Sequence, residues 1–100
     1  MKWDQALREN KLINQASLEK AFSTYKTKNG KETGYGYGQF VVNADQNEKI
    51  VYHGGSWPGY QTFILHCVDA QTMIAILSNN ERTDIEKLAD QLALIILSWQ

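Results

Sequence analysis

Residues 60–78, YQTFILHCVDAQTMIAILS, decide the fold. β-branched, aromatic and other apolar side chains dominate residues 60–68 and again residues 72–78, which is typical of strands. Only residues 69–71 separate the two runs, and a connection this short joins antiparallel strands. The stretch therefore predicts a hairpin built from the third and fourth strands of a sheet.

Two further strands are predicted upstream. A Gly- and aromatic-rich segment, residues 35–42, ends in the strand-like run FVV, and residues 43–48 form a hairpin loop to a second strand at residues 49–53. The segment GGSWPG, residues 54–59, is expected to break that second strand, because it combines glycines with the only proline of the chain.

Helices are predicted on both sides of the sheet region. Residues 3–9 form a short helix, and Asn14 or Ser17 caps a second one that ends at Phe22. The run Thr83-Asp84-Ile85-Glu86 reads as a capping box that starts a helix reaching about Ser98. Its apolar face is expected at Ile85, Leu88, Leu92, Ile95, Ile96 and Trp99.

These elements predict a single α+β domain over residues 1–100. An antiparallel meander of about four strands packs against a long C-terminal helix, with two short N-terminal helices. The net charge of −1 and the lack of a basic patch argue against nucleic-acid binding. The longest apolar run, residues 92–97, is too short to span a membrane, and the polar N-terminus does not resemble a signal peptide, which leaves the compartment open. Cys67, the only cysteine, is expected as a buried thiol on a strand.

The segment around His53 carries the residues best suited to chemistry. Gly54 and Gly55 follow it directly, and two residues without side chains let a ligand approach the strand and take its backbone hydrogen bonds. Because imidazole titrates near neutral pH, His53 can donate a hydrogen bond or relay a proton. The backbone N–H of Ser56 can donate to a developing oxyanion. On these residues alone, a bulge with a solvent-facing histidine is the simpler alternative.

Several stretches together resemble a known family. YGYGQFVV at 35–42, YHGGSWPGY at 52–60 and TMIAILSNNE at 72–81 are similar to the C-terminal part of serine β-lactamases and penicillin-binding proteins, in their class C and esterase-like branch. Residues 2–22 resemble the segment that closes the helical region of that family. The resemblance implies a partial β-lactamase-like fold, with residues 1–34 ending the helical region and residues 35–100 forming the sheet and C-terminal helix.

The resemblance also implies roles for individual residues. His53, Gly54 and Gly55 match the third active-site motif of the family, so His53 assists the nucleophile and the substrate carboxylate, and the N–H of Ser56 forms half of an oxyanion hole. Gly54 stands where many relatives have Thr or Ser, so the hydroxyl that often contacts the substrate carboxylate is absent. This absence favours a hydrolase of broader specificity over one restricted to β-lactam or D-Ala-D-Ala substrates. Trp57 and Tyr60 are candidates to stack on a substrate at the cleft mouth, although packing within the hairpin is an alternative for both.

The nucleophile of the family is not found in this sequence. Ser17 and Lys20 satisfy its Ser-x-x-Lys pattern on paper, but they lie too close to His53, and no Tyr-x-Asn or Tyr-x-Ser follows. Ser17 is better interpreted as a helix cap and Lys20 as a solvated side chain. The isolated chain is therefore expected to lack hydrolase activity. A small-molecule or peptide substrate is expected to bind only to a longer parent protein. The resemblance places that parent in the cell envelope, the periplasm or the medium. No cofactor or metal site is expected.

Two other functions stay open at this point. In the family, the strand at 72–78 pairs with an N-terminal strand. The chain is an interaction module if this strand instead uses its free edge for a homodimer or a strand-swapped assembly. It is a small independent enzyme if His53 acts alone. A triad of Ser56, His66 and Asp69 can be written down, but the sequence does not place these residues together, and His66 is expected as a packed or edge histidine.

Overall fold

The computed structural model describes residues 1–43 and 48–99. The helices and strands follow one another as α1 (Lys2–Arg8), α2 (Gln15–Ala21), β1 (Phe40–Asn43), β2 (Lys49–Trp57), β3 (Tyr60–Cys67), β4 (Thr72–Ser78) and α3 (Ile85–Ser98). The predicted α+β architecture, an antiparallel meander with a long terminal helix, is confirmed. The hairpin loop predicted at residues 43–48 falls largely on residues 44–47, which lie outside the described residues.

The strands form one antiparallel sheet in the order β1-β2-β3-β4, so each strand pairs with its neighbours in sequence. The register places Val41 opposite Val51 and Val51 opposite His66, and it places Leu65 opposite Ile74. Because side chains alternate across a sheet, Val41, Val51 and His66 share one face, and Leu65 and Ile74 share the other.

The prediction that residues 54–59 break the second strand is wrong. β2 continues through both glycines to Trp57, which pairs with Tyr60 of β3. The chain reverses only at Pro58 and Gly59, and the φ angle of Gly59 is 85°. Proline followed by a glycine with positive φ is typical of a type II turn. The glycines stay in the sheet because β3 provides backbone partners opposite them, a tertiary effect that residue preferences do not contain.

Helix α3 ends at Ser98 as predicted. It begins at Ile85, one residue later than a capping box with Thr83 as the N-cap would place it. Asp84 is the N-cap, and its Oδ1 accepts a hydrogen bond from the N–H of Lys87 at 3.2 Å. The hydroxyl of Thr83 lies 3.1 Å from that of Ser78, so it ties the loop to the end of β4 instead. None of the described helices is long and apolar enough to cross a membrane.

The buried face of α3 is rotated from the predicted one. Ile85 is buried as expected, but Ala89 and Ala93 continue the buried stripe against the sheet. The larger side chains assigned to this face, Leu88, Ile95 and Trp99, are exposed. Small alanine side chains let the helix lie close to the strands, and apolar spacing alone does not reveal this preference.

A polar contact fixes α1 to the opposite face of the sheet. Asp4 is the buried residue of α1, and its Oδ1 lies 2.8 Å from Nδ1 of His66 on β3. Arg8 reaches the other carboxylate oxygen at 3.0 Å, and the rings of Trp3 and Phe22 flank the imidazole. Nε2 of His66 is buried without a hydrogen-bond partner in residues 1–43 and 48–99. The prediction that His66 is packed is confirmed, but its partner Asp4 was not predicted.

Helix α2 and the glycine-rich segment after it pack closely. Asn14 is the N-cap of α2, since its side chain accepts a hydrogen bond from the N–H of Ser17 at 2.8 Å. A Cβ added to Gly36 would lie 2.7 Å from the carbonyl oxygens of both Ala21 and Ser23. Gly36 is therefore required by the close approach of two backbone segments.

Cys67 is buried on β3 as predicted. Burial raises the pKa of its thiol above the ordinary value, and the negative charge of Glu48 adds a smaller effect in the same direction. A thiol of this kind stays protonated at neutral pH and is a poor nucleophile.

Candidate functional site

The candidate site residues all lie on the hairpin formed by β2 and β3. Its members are His53, Gly54, Gly55, Ser56, Trp57 and Tyr60. Trp57 and Tyr60 pair directly across the turn and are 75% and 58% exposed, so packing within the hairpin leaves both rings accessible. The structure therefore brings the six residues together on one continuous ribbon.

One side of this ribbon is open. The pairing between β1 and β2 ends where Phe40 meets Tyr52, whereas the pairing between β2 and β3 continues to Trp57. Among residues 1–43 and 48–99, no strand lies beside residues 53–57 on the β1 side. An extended ligand can therefore add to this edge as a strand does.

The backbone hydrogen bonds show which groups point out of the open edge. The N–H of Val68 donates to the carbonyl of Lys49 at 2.9 Å, so the backbone groups of Lys49 point toward β3. Such groups alternate along a strand between its two neighbours, and the pairing from Ile50 to Trp57 has no interruption that would reset the alternation. The N–H groups of Gly54 and Ser56 therefore point away from β3, into the open edge.

Two aromatic rings surround His53 at the start of that edge. The ring of Phe40 is nearly parallel to the imidazole with centroids 6.0 Å apart, and the ring of Tyr35 lies 6.3 Å away at a steep angle. Tyr35 and Phe40 also contact each other edge to face, with ring centroids 4.9 Å apart. Tyr37, in the same segment, is exposed. The imidazole itself is solvent-accessible.

Glu81 holds the tip of the hairpin. Its carboxylate accepts a hydrogen bond from the N–H of Gly59 at 3.0 Å, and its carbonyl accepts one from the side chain of Gln61 at 2.6 Å. These contacts tie the turn to the loop after β4 and position Trp57 and Tyr60. Glu81 was not predicted as a site residue, although it lies at the end of the stretch TMIAILSNNE.

A cavity of about 290 Å³ lies on the α3 side of the hairpin. Gly54 and Ser56 line it together with Phe63, Ile85 and Glu86. A Cβ added to Gly54 would touch the ring of Phe63 at 3.4 Å, an ordinary contact distance. Steric crowding therefore does not explain why residue 54 is a glycine rather than a residue with a side-chain hydroxyl.

No nucleophile is assembled at this site from the described residues. Ser17 and Lys20 are exposed, and the N–H of Ser17 belongs to the cap of α2. The triad written with Ser56 is excluded, because Nδ1 of His66 contacts Asp4 and the register places His66 about 17 Å along the strands from Ser56. Serine hydroxyls that form hydrogen bonds contact backbone carbonyls, the N–H of Asn80 or the hydroxyl of Thr83.

The antiparallel meander with a long C-terminal helix packed on it matches part of a β-lactamase-like fold. A model of the Beta-lactamase family matches residues 1–97. Penicillin-binding protein 4* of Bacillus subtilis (strain 168) is 37% identical over 100 residues, which are 99% of this chain and 22% of that relative. The chain belongs to the β-lactamase family and spans about a fifth of the length of this relative.

Proposed function

We propose that this chain forms one wall of the substrate cleft of a serine hydrolase that cleaves amide, lactam or ester bonds through an acyl-serine. The observation that carries the proposal is the open edge of β2, where the N–H groups of Gly54 and Ser56 point outward beside the accessible imidazole of His53. The nucleophilic serine and its general base belong to a longer parent protein.

The proposed roles follow from this edge. An extended substrate lies along residues 53–57, and the side-chain-free Gly54 and Gly55 permit the close approach. Trp57 and Tyr60 present exposed rings at the far end of the edge, where they contact the substrate. His53 donates a hydrogen bond to the substrate carboxylate or to the nucleophile.

In the acylation step, the serine oxygen bonds to the substrate carbonyl carbon and the carbonyl electrons move to its oxygen. The N–H of Ser56 donates to that oxyanion, and such a donor is effective when it is already oriented before the reaction. Collapse of the intermediate breaks the bond to the leaving group, which takes up the proton that the nucleophile lost to the base. Water then releases the acyl group by the same sequence of steps.

The isolated chain is expected to form no covalent adduct. After incubation with a fluorescent penicillin or a fluorophosphonate probe, intact mass spectrometry should show the unmodified 11.4 kDa chain, because Ser17 and Ser56 have no activating base. The relative from Bacillus subtilis, a penicillin-binding protein by its name, serves as the positive control. An adduct mapped to Ser17 or Ser56 would contradict the proposal and would identify a complete, small serine hydrolase.

A further inference from the structure

The tip of the β2–β3 hairpin, residues 57–60, has an unfavourable turn type for so short a connection. Trp57 pairs with Tyr60, so only Pro58 and Gly59 join the strands. Two-residue hairpin turns favour types I′ and II′, whose twist matches that of the strands, and both types need a positive φ at the first residue. Proline has its φ fixed at about −65°, so Pro58 excludes both types. The φ angle of Gly59, 85°, fits type II instead.

A type II turn has two consequences for this hairpin. Its twist differs from that of the strands, so by itself the turn makes the strand ends splay apart. The hydrogen bond within such a turn joins the N–H of its fourth residue, here Tyr60, to the carbonyl of its first. The N–H of Gly59 takes no part in that bond and is free to donate to a group outside the hairpin. A contact from outside can therefore oppose the splaying.

Glu81 supplies that contact, and its two hydrogen bonds flank Tyr60. Its Oε2 accepts from the N–H of Gly59 at 3.0 Å, and its backbone carbonyl accepts from Nε2 of Gln61 at 2.6 Å. Gly59 and Gln61 are the residues on either side of Tyr60. One residue therefore holds the tip at two points and fixes where the Tyr60 ring lies.

The loop that carries Glu81 is itself restrained by hydrogen bonds. The N–H of Asn80 donates to Oγ of Ser78 at 3.1 Å, and the N–H of Arg82 donates to Oδ1 of Asn80 at 3.0 Å. The hydroxyls of Ser78 and Thr83 lie 3.1 Å apart. These contacts lie on both sides of Glu81 and connect the end of β4 to the start of α3. The backbone of Glu81 is therefore a fixed anchor for the tip.

We propose that Glu81 is a positioning residue for substrate binding: it holds the tip against splaying and so keeps the rings of Trp57 and Tyr60 beside the substrate. The inference rests on the proposed function, since it needs a substrate that lies along residues 53–57. In this role Glu81 acts through the tip and not on the reacting carbonyl. Ring contacts away from that carbonyl stabilise the bound substrate and the transition state equally, so loss of Glu81 should weaken binding without slowing bond formation.

Acylation kinetics separate these two effects. This chain replaces the matching residues of the Bacillus subtilis relative, and acylation is followed at increasing concentrations of a fluorescent penicillin. Glu81→Ala should raise the half-saturating concentration about tenfold and leave the limiting rate unchanged. Glu81→Gln keeps an oxygen that accepts from the N–H of Gly59, so it should retain most of the affinity. Arg82→Ala, an exposed position in the same loop, is the control and should change neither quantity. A lower limiting rate with an unchanged half-saturating concentration would overturn the positioning role.

A variant without the two rings tests whether Glu81 acts through the tip. Trp57→Ala combined with Tyr60→Ala should itself weaken binding. In that background Glu81→Ala should add less than about twofold, because no ring remains to be positioned. A full, additive effect would overturn the inference, since Glu81 would then act on the substrate by another route.

Hydrogen exchange on the chain itself tests the contact independently of activity. In Glu81→Ala the amide of Gly59 should exchange about tenfold faster, whereas the amide of Leu65, inside β3, should exchange as before. Unchanged exchange at Gly59 would overturn the inference, and so would equally faster exchange at both amides, because Glu81 would then stabilise the whole sheet. A chimera acylated equally fast with and without His53 would overturn the proposed function instead, and the exchange at Gly59 would still decide whether Glu81 holds the tip.

Discussion

Replacing Asp4 by alanine is expected to lower the free energy of unfolding by about 3–5 kcal/mol, which is the usual cost of removing one partner of a buried polar or ionic pair. Asp4 and His66 are 5% and 3% exposed, and the imidazole already lacks a partner at Nε2 among the described residues. Without the carboxylate, neither ring nitrogen of the buried imidazole keeps a partner among residues 1–43 and 48–99.

Urea unfolding followed by circular dichroism measures this loss. Arg8→Ala is the matched control, because it removes a half-exposed contact to the same carboxylate and should cost less than about 1 kcal/mol. Asp4→Asn keeps an oxygen that can accept from the imidazole and should fall between the two. An unchanged unfolding midpoint in Asp4→Ala would mean that α1 is not held to the sheet by this contact.

Replacing Gly36 by alanine is expected to destabilise the protein by about 1–3 kcal/mol, the range found when a packed region receives an extra methyl group. The new Cβ would lie 2.7 Å from two backbone carbonyl oxygens, those of Ala21 and Ser23, and backbone atoms yield less readily than flexible side chains. The end of α2 must move away from the segment before β1, and with it the rings beside His53.

Gly54→Ala is the control for this prediction. Its Cβ would meet the Phe63 ring at 3.4 Å, and its φ angle is not in the positive range, so alanine fits there with little change in stability. Thermal unfolding of the two variants side by side gives the comparison. Equal melting temperatures for both variants would show that the approach at Gly36 is not tight.

The sequence predicted the fold class and grouped the candidate site because both depend on local signals. Strand alternation and short connections determine the meander, and the residues of the site lie within nine positions of one another. The strand through Gly54 and Gly55 was missed because its stability comes from pairing with β3. The rotation of α3 was missed because Ala89 and Ala93 carry weak signals in an apolar pattern.

Long-range polar contacts could not be predicted from the sequence for the same physical reason. Asp4 and His66 are separated by 62 positions, and nothing in either local context indicates that they meet. Glu81 likewise contacts Gly59 across 22 positions. Spacing within a helix or strand predicts neighbours along one element, whereas these pairs depend on how separate elements pack.

The central claim, that the His53 strand lines an acylation cleft, is tested most directly in a chimera. This chain replaces the matching 100 residues of the Bacillus subtilis relative, and the acylation rate by a fluorescent penicillin is measured. The chimera should be acylated, and His53→Ala should slow acylation about 100-fold, as expected for loss of a proton-transferring or electrostatic group. The control Lys20→Ala, in the coincidental Ser-x-x-Lys match, should leave the rate unchanged. A folded chimera acylated equally fast with and without His53 would contradict the account.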